Sequence, residues 1–188
     1  MFYLEVFTGP MGSGKTNRML TELQKMANVT KRPTALISPK LTRFGSDGIT
    51  SHTCQGEVSV SPNIDKYFVE NIAEVDLDKY VYVGIDEAQF FNDLEETIDR
   101  HKLGDKSFYV SGLTHDSDNN VWGQIQSLFK LSTRFHKYSS YCTLCAPELI
   151  PANYTFANFD KREVVHVGGM ESYIPLCTNH YNMKMGFV

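Results

Sequence analysis

The stretch Gly9-Pro10-Met11-Gly12-Ser13-Gly14-Lys15-Thr16 restricts what this chain can fold into more than any other segment. An apolar run at residues 2–7 leads into it. Behind it, residues 17–26 carry good helix formers, with Met19, Leu20, Leu23 and Met26 at helical spacing. The order is strand, glycine-rich loop, helix, and the loop fits G-x-x-x-x-G-K-[ST], the phosphate-binding pattern. Its glycines let successive backbone N–H groups turn inward around a phosphate, and the following helix points its positive end at the same anion. Lys15 then reaches the β and γ oxygens, and the Thr16 hydroxyl is offered to Mg²⁺. A glycine-rich turn matching by chance is the plain alternative, and the strand before and helix after weigh against it.

Short β-branched or aromatic runs follow at residues 34–37, 80–85 and 107–110, separated by turns or by helical stretches such as residues 92–103. Strands alternating with helices predict an α/β fold: a phosphate-loop, RecA-like, mostly parallel sheet with helices on both faces. A length of 188 residues suits one ordinary domain with a small appendage, and 41% apolar against 21% charged residues is enough for a core. After Tyr138 the helical periodicity gives way to a Cys-x-x-Cys and short strand-like runs at residues 153–156 and 163–167. The expected division is a nucleotide-binding domain at 1–137 and a small second domain at 138–188. Residues 41–61, rich in Gly, Ser and Thr, read as a mobile loop.

Net charge is −4, and no stretch gathers Lys and Arg into the basic face that nucleic acid selects. No apolar run approaches the ~20 residues needed to span a bilayer, and residues 1–10 lack the pattern of a signal peptide. A cytoplasmic protein without membrane or nucleic-acid partners is expected. In such a reducing compartment cysteines serve as metal ligands or plain thiols rather than disulfides.

Residues 81–85 run apolar into Asp86-Glu87-Ala88-Gln89-Phe90-Phe91. Carboxylates at the carboxyl end of a buried strand sit where α/β sheets bind ligands. Alternation aims the two acids in different directions, so Asp86 can anchor Mg²⁺ while Glu87 orients an attacking nucleophile and accepts its proton. Two solvated acids at a strand end are the bland alternative.

A third constellation pairs Cys142-x-x-Cys145 with Cys177-x-x-His180. Two knuckles, each supplying two ligands, complete one tetrahedral structural Zn²⁺ with no open position. Cys54 falls outside the pattern. Asp116-Ser117-Asp118-Asn119-Asn120 begins like a calcium loop, but Val121 stands where glycine is required, and it reads as a flexible loop.

In this order and at these distances, the three pieces resemble the zinc-containing (type II) thymidine kinases of cells, viruses and phages, over nearly the whole chain. Gly9 to Thr16 matches that family's phosphate loop, including Met11, and Asp86 to Phe91 matches the segment holding its metal Asp and catalytic Glu. Residues 167–177, VGGMESYIPLC, look like the lasso that wraps the nucleoside base. The resemblance implies transfer of the ATP γ-phosphate to the 5′-hydroxyl of thymidine, a Mg²⁺-dependent salvage reaction giving thymidine monophosphate. It also implies a homotetramer inhibited by thymidine triphosphate. Carried over by position, Glu87 is the general base, with Lys15 and Arg43 near the transferred phosphate. Gln89 lies at the nucleotide site and, with Phe90, approaches the nucleoside, which Met11, Leu113 and Trp122 also line. Backbone groups of Val164, Val165, His166, Val167 and Gly168 hold the base edge, and Tyr173 reaches the sugar or base.

Three departures from the family pattern stand out. Leu41 replaces an Asp two residues before Arg43, so either Asp47 compensates from the same loop or the rate suffers. Ser117 replaces an aromatic four residues past Leu113, leaving Trp122 to stack on the base or to fill the core. His180 replaces a common fourth Cys, which zinc tolerates. Rival readings are a deoxynucleoside kinase of altered base preference, an ATPase or nucleic-acid-binding switch with a zinc ribbon, and a binding-only kinase. Intact Lys15, Thr16, Asp86 and Glu87 argue against the last.

Overall fold

The computed structural model describes residues 1–40, 59–159 and 172–187. Strand β1 (Tyr3–Thr8) enters the glycine loop, and helix α1 (Lys15–Thr30) starts on the loop's own lysine and continues past Met26 to a left-handed Lys31, whose N–H closes on Ala27. Pro33 follows shortly after, where the helix has already stopped. Strands β2 (Thr34–Pro39), β3 (Asp65–Val69) and β4 (Tyr82–Ile85), helix α2 (Leu94–His101), and strands β5 (Ser107–Gly112) and β6 (Arg134–Lys137) complete the larger layer.

These strands form a six-stranded sheet in the order β3-β2-β4-β5-β1-β6. Every pairing in it is parallel. The two-residue period of the strands sends their side chains into two separate cores. On one face Phe7, Leu36, Tyr82 and Tyr109 meet Met19, Leu20, Leu23 and Ala27 of α1. On the other, Leu4, Val6, Ile37, Val83, Ile85, Phe108 and Val110 meet Leu94 and Ile98 of α2, together with Ile72, Leu77 and Leu128 from short helical turns. The expected α/β fold with covered faces is present.

Strands β3 and β6 were not foreseen from the apolar pattern. Both are sheet edges, and their sequences DKYFV and RFHK mix charge into half-exposed positions, so neither gives an apolar run. Beyond Lys137 the chain builds two short antiparallel pairs, β7 (Ser140–Tyr141) with β8 (Pro151–Ala152) and β9 (Tyr154–Ala157) with β10 (Tyr173–Leu176), then helix α3 (Thr178–Met185). Their core is small: Cys142, Ala152, Leu176, Cys177 and Tyr181, with Tyr154 stacked on Tyr181 at 4.5 Å. No described helix is long and apolar enough to cross a membrane.

Candidate active site

Parallel order brings the carboxyl ends of β4, β5, β1 and β6 to one edge, and the candidate residues collect there. Gly12 and Gly14 of the loop have φ of 73° and 79°, a conformation open to glycine, and a Cβ on Gly9 would lie 2.5 Å from the Tyr138 carbonyl oxygen. Lys15 is buried, and its Nζ donates to the Pro10 carbonyl at 3.3 Å. Burial lowers the ammonium from its ordinary pKa, and the charges of Glu87 and Asp86 pull it back up. The Ser13 hydroxyl is buried with no hydrogen-bond partner among the described residues. An orphaned donor and a buried cation in one glycine cradle fit a phosphate group.

Asp86, just past β4, is 3% exposed and accepts hydrogen bonds from Thr16 Oγ1 at 2.9 Å and from Ser111 Oγ. Burial, with the Glu87 charge beside it, pushes its carboxyl up to about 6, against the pull of the two hydroxyls. Hard oxygen donors side by side at a loop threonine suit Mg²⁺. Ser111 was missed because its link to Asp86 is created by β4–β5 pairing, and nothing near it in sequence announces it.

Strand β4 ends at Ile85, so simple alternation does not set the direction of Glu87. A left-handed backbone does, with φ 49°. Glu87 Oε2 accepts from Gln89 Nε2 at 2.7 Å, and Gln89 Oε1 accepts from the Leu113 N–H at 2.9 Å. Gln89, 3% exposed, thus braces the half-exposed acid against the end of β5. Phe90 and Trp122 meet edge to face with centroids 4.9 Å apart, both half-buried, so Trp122 is not a closed-core residue. Gly123 follows at φ 65°, packed on the Gln89 backbone.

Met11 donates its N–H to Thr155 Oγ1 at 3.0 Å, so β9 touches the loop directly. Thr155 is another residue that sequence reading did not find. Tyr173 opens β10 with its ring edge-on to Phe159 at 5.4 Å. The acidic segment after Leu113 folds as a hydrogen-bonded turn: Asp116 Oδ1 accepts from the N–H groups of Asp118 and Asn120, and His115 bridges to Val121. Tyr181 donates its hydroxyl to the Ser117 carbonyl at 3.0 Å. A cavity of about 580 Å³ adjoins the loop from the β6 side, with Thr8, Pro10, Leu113, Lys137 and Thr155 in its wall. Glu87, Phe90 and Trp122 are not among its described lining residues. Arg43, Leu41, Asp47, Cys54, the run at 163–167, and Val164, Val165, His166, Val167 and Gly168 lie outside the described residues, as does most of the 41–61 loop.

The Cys142, Cys145, Cys177 and His180 ligand atoms all lie within 4.8 Å of one another. Sulfur-to-Nδ1 distances are 3.4, 3.3 and 3.5 Å, and Cys145 Sγ is 3.9 Å from Cys177 Sγ. A tetrahedral Zn²⁺ at about 2.3 Å from sulfur and about 2.0 Å from nitrogen sets edges of about 3.8 and 3.5 Å, so the four fit it. The protonation pattern agrees. Burial opposes ionisation of Cys142, yet the Cys177 backbone and the His180 ring outweigh it and bring the thiol down to about 6. Burial and the two neighbouring thiols push Cys145 up to about 12. Crowded thiolates of this kind are reconciled by a divalent cation.

The thymidine kinase family model matches residues 2–181. The thymidine kinase of Choristoneura fumiferana entomopoxvirus is 31% identical over 182 residues, covering 95% of this chain and 96% of the viral protein. The Oryza sativa subsp. japonica thymidine kinase is 32% identical over 185 residues, 95% of this chain and 65% of the plant protein. For the Thermococcus kodakarensis thymidine kinase the figures are 31% over 191 residues, 95% and 93%. Likeness that runs from the first strand into the last helix takes in far more than a nucleotide loop, and it makes this chain a kinase belonging to the thymidine kinase family.

Proposed function

We propose that the protein transfers the γ-phosphate of ATP to the 5′-hydroxyl of thymidine. The observation that carries this reading is the brace Glu87–Gln89–Leu113, which holds a carboxylate next to Asp86 and across from a phosphate cradle. A ribose hydroxyl is a weak nucleophile, and a fixed carboxylate that aligns it and takes its proton answers that weakness. Lys15, buried against the Pro10 carbonyl, meets charge developing on the transferred phosphate. Thr16 and Asp86 are the residues to hold Mg²⁺, which when bound neutralises the β- and γ-phosphate charge. Arg43 adds a second cation near that phosphate. Residues Gly9, Pro10, Met11, Gly12, Ser13 and Gly14 wrap the donor phosphates.

On the acceptor side, Phe90 and Trp122 form an aromatic wall, and Met11 and Leu113 complete the nucleoside contacts. Tyr173 and the backbone of Val164, Val165, His166, Val167 and Gly168 close over the base. Zinc at Cys142, Cys145, Cys177 and His180 is structural and anchors both ends of that closing segment. The remaining assignments are a nucleotide-binding domain at 1–137 with a zinc and lasso domain at 138–188, a homotetramer in the cytoplasm, and thymidine triphosphate as feedback inhibitor.

One observation favours a second reading, a kinase of altered base preference. Ser117 supplies no ring, and its carbonyl is engaged by Tyr181. Transfer of labelled γ-phosphate from Mg·ATP to thymidine, deoxyuridine, deoxycytidine and deoxyadenosine in parallel separates the two. Thymidine-selective labelling is expected. Labelling of another base in preference selects the second reading, and labelling of none by folded, zinc-loaded protein rejects both.

A further inference from the structure

The phosphate loop fixes where the triphosphate of a donor nucleotide sits but not where its base goes. In-line transfer requires the attacking hydroxyl and the leaving diphosphate to lie on opposite sides of the γ-phosphate. Glu87 follows β4, on one side of the loop, so the donor's nucleoside must extend toward the other side, where β6 flanks β1. On that side, on the α1 face of the sheet, stands a stack that none of the roles above uses. Phe7 and His136 lie with ring centroids 5.3 Å apart, His136 and Tyr138 are 5.8 Å apart and nearly parallel at 14°, and the Arg18 guanidinium lies 4.4 Å over the Tyr138 ring.

The stack is built in place. His136 Nε2 is 2.7 Å from Glu5 Oε1, and Glu5, buried in β1, also accepts the Tyr3 hydroxyl at 2.7 Å. It also touches the loop. The Tyr138 N–H donates to the Thr8 carbonyl, and Arg18 Nε would be 4.0 Å from a Cβ on Gly14. The guanidinium carbon lies over Tyr138, yet Arg18 is an exposed residue, so the group is open to solvent one turn beyond Lys15. A planar cation backed by aromatic rings is a surface for a heterocyclic base, and a purine offers the larger π-face.

We infer that Arg18, seated over Tyr138, which His136 backs in turn, is the platform on which the purine base of the phosphate donor stacks, and that it sets the preference for ATP over pyrimidine triphosphates. This rests on the kinase reading, and the test uses equilibrium binding so that the two stand or fall separately. Calorimetric affinities for Mg·ATP, Mg·CTP and Mg·tripolyphosphate would be compared in wild type, Arg18→Ala and Arg18→Lys. The lysine variant keeps the charge without the plane.

Wild type is expected to bind ATP more tightly than CTP or tripolyphosphate. Both variants are expected to lose ATP affinity at least about fivefold while tripolyphosphate binding to the lysine variant stays within about twofold. Full ATP affinity in Arg18→Lys, or wild-type affinity for tripolyphosphate equal to that for ATP, would overturn the inference, since Arg18 would then act only as a charge or not at all. A wild-type protein that shows the ATP preference and labels no nucleoside would instead reject the kinase reading and leave the platform standing.

Discussion

Glu87 is the residue whose position depends most on its surroundings. Its left-handed backbone costs about 1–2 kcal/mol for a residue with a Cβ, and strain of this kind persists where neighbours hold it in place. Here the neighbour is Gln89, whose amide is engaged at both ends, donating to Glu87 and accepting from Leu113. The side chain therefore has one direction, which a general base needs more than it needs a particular pKa. Glu87→Gln keeps the size and removes the proton acceptor. It should lower kcat by about 10²–10⁴-fold while leaving the affinity for thymidine and Mg·ATP close to wild type. Steady-state rates paired with equilibrium binding check this. Turnover within a few-fold of wild type would remove Glu87 from its role.

At the scale of elements, the site is a set of strand ends locked by short turns, and one glycine decides how closely two of them approach. Gly123 sits at φ 65°, and a Cβ there would come within 2.5 Å of the Gln89 carbonyl oxygen and 2.8 Å of its Cα. Both are backbone atoms and neither can swing aside. Gly123→Ala should push the Trp122 segment off the turn that carries Glu87, destabilising the fold by about 1–3 kcal/mol and lowering kcat for thymidine at least tenfold. Thermal unfolding and turnover together test it, and a variant matching wild type in both would show that the two segments yield. How far such contacts can be foreseen depends on how local they are. The loop and α1 were legible because Gly9 to Thr16 and the spacing of Met19, Leu20 and Leu23 are local signals. Edge strands β3 and β6 were not, because edges carry charge where interior strands carry apolar residues. Ser111 on Asp86 and Thr155 on Met11 arise from pairing between distant segments, and no spacing in the chain encodes them.

The whole molecule joins a large sheet, with a core on each face, to a C-terminal unit whose core is small enough to need a staple. Among the described residues, hydrogen bonds from Met11 N–H to Thr155 and from the Tyr181 hydroxyl to Ser117 couple them, and each runs from an element near the Cys/His cluster to a loop at the candidate site. Metal binding to such a cluster is folding free energy for the unit around it, while the sheet keeps its own two cores. Loss of zinc should therefore act in one direction. Chelation, or Cys142→Ser, is expected to disorder the C-terminal unit and weaken thymidine at least tenfold. Affinity for Mg·ATP, whose proposed loop is seated in the sheet, should change only a few-fold. Zinc content, hydrogen exchange resolved along the chain, and the two affinities measured on the same sample would show it. Amides of residues 140–185 should lose protection while those of β1, β4 and β5 keep theirs. If the protein exchanges uniformly after zinc removal, the unit is not independently stapled and the metal supports the entire fold. If protection and thymidine affinity both survive a verified loss of zinc, the four ligands are dispensable and the coupling through Tyr181 and Thr155 must come from packing alone.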